Sequence, residues 1–133
     1  TVMPESIIRD ALTAQRLFPE KRKIIHFMQP HNPFIESNLV DEGFSDILGE
    51  EYTTNEWAEV RKGDLPHQEV IAAYYQNLEF VMPKVMELVE ALEDKTVITA
   101  DHGNLCGELG KYGHPAKEDY AALRKVPWDV YER

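Results

Sequence analysis

The sequence predicts an α/β fold, a single domain over residues 1–133 with a mainly parallel sheet flanked by helices. Two short apolar runs rich in strand formers, IIHFMQ at 24–29 and DKTVITA at 94–100, are separated by a long amphipathic helix. Strands joined through such a helix form a βαβ unit and run parallel. Each run also ends in polar residues suited to chemistry: Pro30-His31-Asn32-Pro33 after the first, Asp101-His102-Gly103-Asn104 after the second. A chain of 133 residues with 43% hydrophobic content supplies one core of ordinary density.

The elements follow in order. TVMPESIIRDALTAQRLF opens with Thr1 as a cap and Pro4 near the first turn, and Ile7, Ile8, Ala11 and Leu12 fall at helical spacing. After the charged break PEKRK, the run 24–29 is expected as a buried strand, halted by Pro30 and Pro33. Residues 38–66 read as loops with one or two short helices, TTNEW resembling a cap and the acidic GEEYTTNE a solvated surface. From His67 to Glu93, Val70, Tyr74, Leu78, Val81, Val85, Leu88 and Leu92 keep one face apolar over a helix of roughly 40 Å, kinked at Pro83. DKTVITA is a second buried strand, KEDYAALRK a helical turn or two, and VPWDVYE a closing strand.

Composition narrows the function. A formal charge of -10 repels polyanions, and no basic stripe interleaved with aromatics offsets it, so nucleic acid is excluded as a partner. No run approaches the ~18 apolar residues of a membrane span, and no basic-then-apolar leader opens the chain. One cysteine, Cys106, rules out an internal disulfide and an all-cysteine metal site, and favours the cytoplasm.

In parallel α/β sheets ligands collect beyond the carboxyl ends of the strands, where side chains from different loops converge. Asp101 and His102 offer a hard oxygen and an imidazole, a pair that suits zinc or manganese better than calcium. His114 is the third donor, reached through the glycine-rich NLCGELGKYG, and His31 arrives from the neighbouring strand. Each has a plainer reading: an aspartate can cap a turn, a histidine can be half-buried and satisfied, and His31 can simply order a loop between prolines. His26 and His67 read as structural, and Cys106 as a small turn or core residue, since nothing near it in sequence forms a Cys/His dyad.

The blocks TVITADHGNLCGELGKYGHP, YAALRKVPW, KIIHFMQPHNPF and AYYQNLEFVMPKVMELVEAL resemble, in order and spacing, the carboxy-terminal segment of the alkaline phosphatase superfamily, in particular its sulfatase-like branch, including uncharacterised archaeal sulfatase-like proteins. The resemblance implies a partial three-layer sandwich, incomplete without an amino-terminal half, and a metal-dependent hydrolase of small sulfate or phosphate esters. It makes Asp101, His102 and His114 ligands of a divalent ion, with His31, His114 and Lys117 contacting the sulfate or phosphate group. Lys117 stands one residue off the usual spacing to Val126-Pro127. Glu108 holds its loop, and Arg124 is structural. No Cys/Ser-x-Pro-x-Arg nucleophile motif is present, and the first residue is Thr1. Both suggest a carboxy-terminal piece that is inactive alone. The alternatives are a fragment of a phosphoglycerate mutase or phosphopentomutase-like phosphotransferase, whose ADHGN is shared, and a non-catalytic metal-binding module.

Overall fold

The structure, a computed structural model, describes residues 2–37, 39 and 56–132. It is a mixed α/β fold in which two helices make most of the core. Helix α1 spans Pro4–Leu17 and starts because proline at the first turn has its φ already set and no N–H to leave unpaired. Its N-cap is Met3, with no side-chain cap; the expected cap Thr1 lies outside the described residues. Helix α3, His67–Ala91, runs through Pro83 as one element and buries Val70, Ala73, Val81, Leu88 and Val89 along one face. Ile8 and Ala11 of α1 meet Leu88 and Leu92 there, joined by the half-buried Leu12, Ile25 and Phe27. Fully burying a side chain such as Val81 or Leu88 stabilises by roughly 1.5–3 kcal/mol.

A second cluster lies toward the other end of α3. Helix α2, Glu56–Lys62, packs Trp57 and Val60 against Phe34, Val70 and Ala73. Phe34, Trp57 and Tyr74 meet edge to face with centroids 5.4–6.1 Å apart, the geometry that aromatic quadrupoles favour. Glu56 corrects the reading of the acidic run: the rest of that run lies outside the described residues, but Glu56 is buried and accepts a hydrogen bond from the Phe34 N–H at 3.3 Å.

Both sheets are two-stranded and antiparallel, where the sequence predicted a parallel one. Strand β1, Thr96–Thr99, pairs with β4, Trp128–Tyr131, in the register Thr96 to Tyr131 through Thr99 to Trp128. Lys95 and Glu132 form an ion pair beside this ladder. Strands β2, Leu105–Cys106, and β3, Tyr112–Gly113, close a small hairpin around the 3-10 turn Glu108–Gly110. Residues 22–28, expected as a strand, form no strand and join no ladder among the described residues, although their burial alternates from residue to residue. The apolar alternation of IIHFMQ is used by Ile25 and Phe27 to pack on the α1–α3 cluster. Such a pattern specifies which face is buried and leaves the hydrogen-bonding partner open. The described fold therefore shows no parallel sheet and no three-layer sandwich.

Truncating Leu88 to alanine is expected to cost about 2–4 kcal/mol in urea-unfolding free energy, because a cavity opens between α1 and α3. Leu109→Ala, at a side chain 82% exposed, should change stability by less than about 0.5 kcal/mol in the same measurement.

Candidate functional site: a histidine cluster

Three loops converge on one point. The cis peptides Gln29-Pro30 and Asn32-Pro33 fold residues 29–33 into a tight turn, with the His31 N–H bonded to the Met28 carbonyl at 2.9 Å. This turn is fastened to α3 by Asn77, which is 1% exposed. The Asn77 amide donates to the His31 carbonyl at 3.1 Å and accepts from the Ile35 N–H at 3.2 Å. The reading of the α3 stripe missed Asn77. Its signal was present: Asn77 falls at helical spacing between Val70 and Val81, a polar residue on the apolar face that must find partners when buried.

The second loop leaves β1 at Asp101. Its conformation is set by Gly103, whose N–H donates to the Leu123 carbonyl at 2.9 Å. A β-carbon on Gly103 would stand 1.9 Å from the Ala122 carbonyl oxygen, so only glycine lets this loop lie against helix α4, Ala121–Arg124. The third loop is the hairpin carrying His114. Gly107, at φ +113, brings its turn against the His67 ring. The Glu108 carboxylate accepts from the Cys106 N–H at 2.5 Å, the loop-holding part expected of it.

His102 and His114 then sit with ring centroids 4.3 Å apart, and His31 lies 5.4 Å from His114 on its other side. In each ring Nδ1 faces a carbonyl oxygen: Asn32 O for His31 at 2.5 Å, Gly103 O for His102 at 2.9 Å, and Asn104 Oδ1 for His114 at 3.0 Å. A carbonyl only accepts, so in all three Nδ1 carries the proton. Each neutral ring is thereby left with its lone pair on Nε2, the arrangement in which imidazoles bind metal.

Asp101 stands beside them, exposed. Its Oδ1 accepts from the His102 N–H at 3.0 Å and lies 3.8 Å from His102 Nε2. Two donors on one tetrahedral ion, with bonds of about 2.0 Å, would be roughly 3.3 Å apart. The donor types suit zinc or manganese, and this one pair stands wider apart than such an ion requires. Among the described residues, however, no three His, Cys, Asp or Glu side chains are gathered closely enough to form a complete metal site.

The electrostatics at His114 favour its neutral ring. His114 has its pKa lowered, first by the partial burial of its ring, then by repulsion from His102 and His31; Asp101 opposes the shift. Burial pushes the Tyr74 phenol up, a hydrogen-bonding contact with Asn104 partly offsetting it. Burial, then the Glu108 charge, also push the Cys106 thiol up, which makes it a poor nucleophile.

The structure thus brings together Asp101, His102, His114 and His31. Lys117 is exposed, with left-handed backbone at φ 66, and makes no ion pair or hydrogen bond among the described residues. The cation anchoring this part of the chain is Lys111, bonded to Glu118 at 2.5 Å and lying over the Tyr120 ring. His67 packs on Tyr112, its Nδ1 2.9 Å from the hydroxyl, as a structural residue would. His26 is exposed on the run at 24–29.

No known family model matches the chain, and neither a curated protein nor a solved structure matches it.

Asn77→Leu keeps the branching of the side chain and orphans the His31 carbonyl and the Ile35 N–H, so a loss of at least about 1–3 kcal/mol is expected in chemical denaturation. His114 binds its proton less readily folded than unfolded, so its contribution to stability is present above the unfolded value of about 6.5 and is lost as the pH falls from there through the lower folded value. The melting temperature should fall on acidification across this window, and His114→Gln should flatten the fall. An NMR titration of the His114 ring should give a midpoint below 6.5.

Proposed function

We propose that this chain supplies the carboxy-terminal, metal-binding part of a hydrolase acting on small sulfate or phosphate esters, within a sandwich of the alkaline phosphatase type. One observation carries the reading: three imidazoles meet beside a carboxylate, and each is locked by a carbonyl into the tautomer that offers Nε2. Asp101, His102 and His114 would hold the ion, and His31 would face the ester group. A bound divalent ion would supply Lewis acidity and neutralise charge on the ester oxygens. The residues of the chain fix the orientation of the three rings.

The cluster itself supports the inactivity expected of the chain alone. Substitution at phosphorus or sulfur needs an activated nucleophile. The Tyr74 phenol and the Cys106 thiol are both shifted toward their protonated forms by burial, so neither is an activated nucleophile. The nucleophile is therefore assigned to a polypeptide segment outside these residues. The Asp-His pair is shared with the mutases, and the sequence resemblance supports hydrolase over mutase only through the CGELGKYGHP continuation.

Titration calorimetry with zinc and with manganese should show one site per chain, weakened at least tenfold by His102→Ala and by His114→Ala, and little changed by His26→Ala. The purified chain loaded with either ion should not turn over aryl sulfate or aryl phosphate. Efficient turnover abolished by His102→Ala would overturn the assignment of the nucleophile. Absence of metal binding would overturn the reading as a whole.

A further inference from the structure

Residues 23–28 alternate in burial as a strand's would, and they join no ladder among the described residues. Their side chains alternate: Ile25 and Phe27 pack on the α1–α3 cluster, while Ile24 is fully exposed, Met28 is 43% exposed and His26 is exposed. The backbone N–H and C=O groups of Ile24, Ile25, His26 and Phe27 make no hydrogen bond among the described residues. An extended backbone with one face packed down and its polar groups unpaired is a template for strand addition.

The charges at its start indicate what would pair with it. Lys21, Arg22 and Lys23 stand together at the entry to the run, and none forms an ion pair with a described carboxylate. On a chain of net charge -10 this is a local basic patch. A groove of about 390 Å³ adjoins it between α1 and the run, lined by Ile7, Ala11, Ala14, Ile24 and Ile25, with Asp10 and Lys23 at the same groove. Asp10 is engaged by Arg9 at 3.4 Å.

We propose that residues 22–28 accept an extended segment of a partner polypeptide, apolar along its middle and acidic where it meets Lys21–Lys23. Main-chain hydrogen bonds to residues 24–27 provide the binding, the groove takes an apolar side chain, and the basic patch selects the acidic end. The run leads directly into the turn that presents His31, so an added strand would also hold that turn's entry. The inference is independent of any chemistry at the histidine cluster.

Amide hydrogen exchange of the 133-residue chain tests it, with neither metal nor ester present. Three blocked eight-residue probes of alternating valine and threonine are compared: one ending in glutamates, one ending in lysines, and the glutamate peptide N-methylated at its central amides. In the free, monomeric chain the amides of 24–27 should exchange rapidly. The glutamate peptide should slow them at least tenfold and saturably, the lysine peptide should bind at least fivefold more weakly, and the N-methylated peptide should give no protection. The triple variant K21E/R22E/K23E, changed at side chains that make no ion pair, should reverse the preference between the first two. Slow exchange in the free monomer, protection by no peptide, equal protection by the N-methylated one, or an unchanged ranking in the triple variant would each overturn the proposal. Protection without peptide, accompanied by a doubled mass in light scattering, would overturn it in favour of a second copy as the occupant.

Discussion

The buried amide of Asn77 is the contact on which the arrangement of the cluster depends. It joins the longest helix to the proline-bounded turn through one donated and one accepted hydrogen bond, both made to backbone. Because the side chain is almost fully enclosed, neither bond can be replaced by water without opening the core. The turn's position is thereby tied to α3, whose own position is set by packing of Val81 and Leu88. His31 thus inherits its place from the hydrophobic core through a single amide.

The opposite side of the cluster is fixed by close approach of backbones. Gly103 lies so near Ala122 that no larger residue fits, and its N–H is bonded into the turn of α4. His102 follows from this, since its Nδ1 is satisfied by the carbonyl of that same glycine. His114 is held by Asn104, one residue further along the loop. Two neighbouring residues of one short loop therefore orient two of the three rings. Such indirect support keeps ligand histidines in one tautomer and one orientation.

Much of this was legible from the residues. The two long helices, the strand at 96–99 and the closing strand at 128–131 follow from periodicity and from the proline and glycine punctuation around them. The grouping of Asp101, His102, His114 and His31 was also foreseen. Lys117 was carried over from the resemblance, one residue off the usual spacing, and it stands in an exposed loop with left-handed backbone. The parallel sheet was not legible, because alternation in residues 24–29 reports a buried face equally well whether that face packs on helices or belongs to a ladder. Glu56 was misread for a related reason: a carboxylate in an acidic run looks solvated until a specific N–H, here that of Phe34, is brought to it.

The sequence by itself determined where helices start, which faces are apolar, and which residue types could bind a cation, since these depend on local spacing and side-chain chemistry. Only the tertiary structure decided that β1 pairs antiparallel with β4, that Asn77 reaches across 46 positions to His31, and that all three rings present Nε2. Those outcomes depend on which backbone groups meet in space, and a hydrogen bond between distant segments leaves no period in the chain.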